Sequence, residues 1–113
     1  MLIVEDKITV KELKVLAGYL LGDLVKAVVD VEKDILILDA ELHADMEAFL
    51  LENGSEQENL WGINLYPDMQ EEDFIEFDSM INIRPRQGNR SRGVEDLNIQ
   101  NKIINIVNKK TKR

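Results

Sequence analysis

Two runs of aliphatic, largely β-branched residues, 24–31 and 35–42, are separated only by Glu32-Lys33-Asp34. Such residues favour extended backbone, and a short polar break between two such runs reads as a hairpin turn. Val28 stands next to Val29, and Ile35 through Leu38 is unbroken, so neither run shows the alternation of a half-wetted strand. A strand that is apolar on more than one face belongs in the interior of a sheet. Whatever else the chain forms must be arranged around this hairpin.

The flanking segments supply the rest of an α+β domain. Leu2-Ile3-Val4 is a short apolar run expected to form a strand. Thr9-Val10-Lys11-Glu12 has the form of a capping box, in which the threonine hydroxyl takes an orphan helix amide and the glutamate reaches back. Ile8 and Leu13 sit where a hydrophobic staple would. Leu13, Leu16, Ala17, Leu20 and Leu21 make an apolar stripe, and Gly22 provides the left-handed stop. A second helix is expected over 44–53, with Met46, Phe49 and Leu50 inward and Gly54 ending it. A second hairpin follows, with strands near 60–66 and 74–83 around the acidic loop 67–73. Within 74–83, Ile75, Phe77, Ser79, Ile81 and Ile83 alternate with Glu76, Asp78, Met80 and Asn82, the period of a half-buried strand. A third helix over 96–110 carries Ile99, Ile103, Ile106 and Val107 at helical spacing, with Asp96 as N-cap. The predicted order is β-α-β-β-α-β-β-α, an antiparallel or mixed sheet of four to five strands with three helices on one face. No Ser/Gly linker interrupts it, so residues 1–113 read as one domain.

Composition excludes several chemistries. There is no cysteine, hence no disulfide framework, thiolate metal site or thiol nucleophile, and His43 is the single histidine. No metal site and no cofactor is implied. The first residues are too soon charged for a signal peptide and no apolar run reaches membrane length, so a cytoplasmic protein without membrane attachment is expected.

The charge is sharply divided. Residues 1–83 carry 5 Lys against 20 Asp and Glu, whereas residues 84–113 carry 9 Lys and Arg against 2 acids. Four of the five arginines, Arg84, Arg86, Arg90 and Arg92, fall within nine residues. An acidic body opposes the neutralisation of many phosphates, which argues against nucleic acid as the partner, but a local basic surface can hold one anion.

Several phrases carry a family resemblance: Gly22-Asp23-Leu24-Val25-Lys26-Ala27-Val28-Val29-Asp30, Glu41-Leu42-His43-Ala44-Asp45, Leu60-Trp61-Gly62-Ile63-Asn64-Leu65-Tyr66-Pro67, Phe77-Asp78-Ser79-Met80-Ile81-Asn82-Ile83-Arg84-Pro85 and Gly88-Asn89-Arg90-Ser91-Arg92. Over nearly its whole length the chain resembles a family of small prokaryotic proteins described only as a domain of unknown function. The resemblance implies one compact domain and no particular chemistry. One departure is Asp39-Ala40, where the family pattern has a glycine pair, so the turn into the second helix is expected to differ here.

Among candidate ligand-binding residues the basic loop comes first: Arg84, Arg86, Asn89, Arg90, Ser91 and Arg92, with Trp61 as an aromatic anchor if it is exposed. Guanidinium groups grip phosphate or carboxylate in two-pronged fashion, and the loop runs into a helix N-terminus, where free amides favour negative charge. The opposing reading is a structural loop salt-bridged to Asp68, Glu71, Glu72 and Asp73. His43, with Asp45 two residues on, is a candidate general base, against which stands a role in capping and packing the second helix. Asp30-Val31-Glu32-Lys33-Asp34 lacks the glycine and the distal glutamate of a calcium loop and reads as a solvated acidic turn. Three functions follow: a binding module whose arginine loop engages an anionic small molecule or an acidic protein surface; a homodimer in which the basic loop of one subunit meets the acidic loop of the other; and a phosphate-ester hydrolase or transferase with His43 as base. The enzyme reading requires His43 to face Arg90 and Arg92 across a cleft.

Overall fold

The computed structural model describes residues 1–20 and 22–113. β3 (Val25–Asp30) and β4 (Ile35–Leu38) form the expected hairpin, with Val28 opposite Ile37 and Val29 opposite Leu36. β1 (Leu2–Ile3) pairs with β4, β5 (Leu60–Leu65) pairs along the whole of β3, and β6 (Ile75–Glu76) pairs with the end of β5. The five-stranded sheet therefore runs β1-β4-β3-β5-β6, antiparallel throughout, with the apolar hairpin in its interior. A separate parallel pair joins β2 (Ile8–Thr9) to β7 (Thr111–Lys112).

Helices cover both faces, not one. α1 (Val10–Leu20) and α3 (Leu97–Lys110) lie on the first face, where Leu13, Ala17, Ile103, Ile106 and Val107 pack against Val25, Ala27, Val29, Leu36, Leu38, Trp61, Ile63 and Leu65. α2 (His43–Glu52) lies on the second face, where Met46 and Leu50 cover Val28, Ile37 and Leu60. This three-layer arrangement covers both faces of the unbroken apolar runs. Each buried Leu, Ile or Val contributes about 1.5–3 kcal/mol, and a single covered face would forfeit half of that.

The local signals at helix ends act as the sequence indicates. Thr9 Oγ1 accepts from the Glu12 amide at 3.0 Å, and the Glu12 carboxylate accepts from the Thr9 amide at 3.1 Å. Asp96 accepts from the Asn98 amide at 2.8 Å and starts α3. The contributions expected of Leu20 and Leu21 to the α1 stripe lie outside the described residues. Phe49, expected to point inward from α2, lies at the surface. Asp39 has φ of 72°, so the departure from the glycine pair falls where the backbone is left-handed.

The strand expected over 74–83 forms only at Ile75–Glu76. Beyond it the chain leaves the edge of β5 and folds onto the second face as a 3₁₀ turn, Met80–Asn82, with Ile81 packed on the α2 cluster. Gly62 permits this, because a Cβ there would lie 2.6 Å from the Cβ and Oγ of Ser79. No helix of the described residues is long and apolar enough to cross a membrane.

Candidate functional site

The basic loop does not form one open surface. Arg84 is half-buried: its guanidinium donates to the carbonyls of Gln57 and, at 2.8 Å, of Leu60, and it stacks 4.2 Å from the ring centre of Trp61. Burial pulls its pKa down, partly offset by Glu47. Trp61 is only 1% exposed, so it belongs to the core and is not a surface anchor. Asn89 is also buried, and its amide nitrogen donates to the carbonyls of Asn82 and Gly93, each at 2.8 Å, while its oxygen accepts from the Glu95 amide. These three residues hold the loop together.

The loop does create an anion-binding pair of amides, as its sequence suggests, but the chain fills it. The Arg90 and Ser91 amides donate to the Glu95 carboxylate at 2.8 and 2.9 Å, and these bonds hold that carboxyl below its ordinary pKa. Ser91 Oγ accepts from the Gly93 amide. The side chains of Arg86 and Arg90 are exposed. The acidic loop takes other partners, Asp68 pairing with Lys14 and Glu71 with Arg113, so among the described residues the arginine loop has no bridge to it.

Arg92 points elsewhere. It pairs with Asp78 and joins a cleft at the N-terminal end of α2, lined on its polar side by Lys26, His43, Asn64, Asp78, Ser79 and Arg92. Leu42, Met80 and Ile81 form an apolar rim, and the free space is about 190 Å³. The positions follow from the topology. Lys26 and Asn64 are opposite one another on β3 and β5, with their side chains on the second face beyond the patch that α2 covers. The turn after β4 sets His43 at the first position of α2. The 3₁₀ departure of the chain brings Asp78 and Ser79 over Gly62, close enough that a Cβ at Gly62 would also lie 3.2 Å from the His43 ring.

His43 is buried, and its Nε2 lies 2.7 Å from the Ile63 carbonyl oxygen. A carbonyl only accepts, so Nε2 carries the proton and Nδ1 is left with its lone pair. Burial, reinforced by Lys26 and Arg92, pulls the His43 pKa down against the opposing effects of the Ile63 carbonyl and Asp78. The imidazole is therefore neutral at physiological pH. Asn64 is buried as well, and its Nδ2 donates to Glu76 Oε1 at 2.8 Å and to the Asp78 carbonyl at 3.3 Å. With both acceptors on the nitrogen side, the amide orientation is fixed, and its buried Oδ1 has no protein partner. Lys26 is half-buried and makes no ion pair among the described residues. No side chain caps α2, whose preceding residue is Leu42. Asp45 stands exposed on the first turn and is not part of the cleft lining.

Of the residues expected to bind or act, only His43 and Arg92 line this cleft. Lys26, Asn64, Asp78 and Ser79 escape sequence reasoning because each is a single polar residue within an otherwise unremarkable strand or turn. Each of the phrases that carries the family resemblance nevertheless supplies at least one of the cleft residues. No group of three or more His, Asp or Glu residues placed to hold a metal ion occurs among the described residues.

No curated protein and no solved structure matches the chain. The family pattern described as "Protein of unknown function (DUF5674)" matches residues 2–110, and the chain belongs to that family.

Proposed function

We propose that this protein is a cytoplasmic binding module for a small anion, and that its site is the cleft at the N-terminus of α2. The observation that carries the reading is the convergence of Lys26 and Arg92 beside an uncapped helix start. Helix-start amides and the side chains of Lys26 and Arg92 favour a phosphate or carboxylate, and Asp78 offsets only part of that charge. Arg86 and Arg90 remain as an exposed basic flank that an acidic protein surface could meet without entering the cleft.

Calorimetric titration with phosphate and pyrophosphate tests the reading. Lys26→Met and Arg92→Met should each weaken binding at least about tenfold, the loss expected of one charge-assisted hydrogen bond. Arg86→Ala with Arg90→Ala should leave it within about twofold, since screened surface charges contribute little. Loss in the loop variant with retention in Lys26→Met would move the site to the open loop.

A second reading, hydrolysis or transfer of a phosphate ester with His43 as base, draws support from the shared cleft of His43 and Arg92 and from the neutral ring. Arg90 is outside that cleft. Turnover of small phosphate monoesters by the wild-type protein, abolished in His43→Gln with binding retained, would establish it. Absence of turnover across such a panel would leave the binding module alone.

A further inference from the structure

The cleft joins a charge balance to an apolar rim. Its charged lining is Lys26, Arg92 and Asp78, because burial keeps His43 neutral. Two cations against one carboxylate leave a single positive charge for a ligand to neutralise. A second negative charge on the ligand would lie unmatched near Asp78 and stripped of part of its water. It would also face a chain whose residues 1–83 already hold 20 acids against 5 Lys. Asp78 engages Arg92 through Nε alone, so among the described residues Nη1 and Nη2 have no protein partner. Those two nitrogens form the flat edge of the guanidinium that grips a carboxylate in two-pronged fashion. The rim supplies the other half. Leu42 and Met80 are 55% and 65% exposed, and both border the cleft that holds the cations, with Ile81 in the same lining. Scattered apolar side chains at a surface are ordinary, but a pair beside a charged cleft offers an alkyl group cover from water.

Resting on the reading of the cleft as an anion site, we infer that it selects a small aliphatic monocarboxylate, whose carboxylate meets Lys26 and Arg92 and whose short tail lies on Leu42, Met80 and Ile81. The free space of about 190 Å³ is below the range of pockets that hold drug-sized ligands, which fits an acid of a few carbons. Phosphate still binds, but more weakly, because it satisfies the cations while bringing a second charge and leaving the rim wet.

The test titrates the wild-type protein at pH 8 with isovalerate, acetate and methyl phosphate, followed by NMR. At that pH methyl phosphate is a dianion and the two carboxylic acids are monoanions. Isovalerate should bind at least about tenfold more tightly than acetate, since each further carbon buried adds about fourfold. It should exceed methyl phosphate by at least about tenfold as well, with the largest shifts at Lys26, Met80 and Arg92. Lys26→Met should weaken all three anions at least about tenfold. Met80→Ser, a change at an exposed position, should weaken isovalerate at least about threefold and leave acetate within about twofold. Isovalerate binding no tighter than acetate, methyl phosphate binding as tightly as isovalerate, or an isovalerate preference undiminished by Met80→Ser would overturn the inference. If acetate and methyl phosphate then still depend on Lys26, the anion site stands and only its selectivity falls. Failure of all three to bind would remove the anion site as well.

Discussion

The side-chain amide of Asn82 stands in for a β-strand beside Gly62. Its Oδ1 accepts from the Gly62 amide at 2.8 Å and its Nδ2 donates to the Gly62 carbonyl at 2.9 Å, the two bonds that a neighbouring strand would supply. The same nitrogen donates to the Arg92 carbonyl at 2.9 Å, so one buried side chain ties the edge of β5 to the loop that carries a cleft cation. β6 ends at Glu76, and Arg84 satisfies the Leu60 carbonyl further along the same edge. Two side chains replace the missing half of a strand, which frees the main chain to cross the second face and bring Asp78 and Ser79 to the cleft.

Asn82→Leu should therefore destabilise the protein by about 3 kcal/mol or more, because Gly62 loses both partners in a buried setting. Asn82→Asp keeps the acceptor but turns a second oxygen toward the Gly62 and Arg92 carbonyls, and should do no better at neutral pH. Urea unfolding of both variants checks this, and stability near that of the wild type in either would contradict the strand-substitute role.

A methyl group at Gly62 has nowhere to go. Gly62→Ala places a Cβ 2.6 Å from Ser79, in the range where a packed neighbour must shift. The expected loss is about 1–3 kcal/mol. Ser79→Gly removes the opposing atoms, so the double variant should lose less than the sum of the single ones. Additive losses in a double-mutant cycle would show that the two residues do not press on one another.

Arg84→Lys should cost about 1–2 kcal/mol although it preserves the charge. An ammonium cannot reach both the Gln57 and Leu60 carbonyls in a flat fork while stacking on Trp61. The environment of Trp61 reports the change, through a shift in its fluorescence and a lowered unfolding midpoint. An unchanged midpoint would mark Arg84 as a surface charge.

His43 sets a pH dependence of known sign. Its folded pKa lies below the ordinary value near 6.5 because burial penalises the imidazolium. The unfolded chain thus binds more protons as pH falls through 6.5, so this part of the stability is complete above that pH and is lost toward the lower folded value. Unfolding free energies measured from pH 8 to pH 5.5 should fall in the wild type, and the decline should be reduced in His43→Gln. An NMR titration midpoint at or above 6.5 would refute the assignment.

Asp39→Gly should raise stability by up to about 1 kcal/mol. At φ of 72° a side chain is strained and glycine is not, although the unfolded glycine chain gives back part of the gain. A lowered denaturation midpoint would mean that the aspartate side chain contributes more to the turn than its backbone strain costs.

Much of the fold is legible in the sequence because its determinants are local. The hairpin of β3 and β4, the Thr9–Glu12 capping box and the Asp96 cap involve residues within a few positions of one another, and each appears as its pattern indicates. The alternation through residues 75–83 misleads for an equally specific reason. Ile75 and Phe77 do pack against the first-face core, but Ile81 reaches the second, because the chain changes sides at Ser79 through the space left by Gly62. A period of two is preserved while the strand is not.

The sequence by itself determined the three helices, the order of the main elements, the interior place of the aliphatic hairpin and the concentration of charge after residue 83. Those properties reside in short windows of residue type, where propensity, capping and periodicity act. Tertiary structure alone decided that helices cover both faces, that Arg84 and Asn89 hold the loop together while Glu95 occupies its amides, and that Arg92 reaches a cleft. It also decided that Lys26, His43, Asn64, Asp78 and Ser79 belong to that cleft, although they are spread over more than fifty residues of chain. Cross-strand register and one close approach at a glycine bring them together, and neither leaves a mark on the residues immediately before and after.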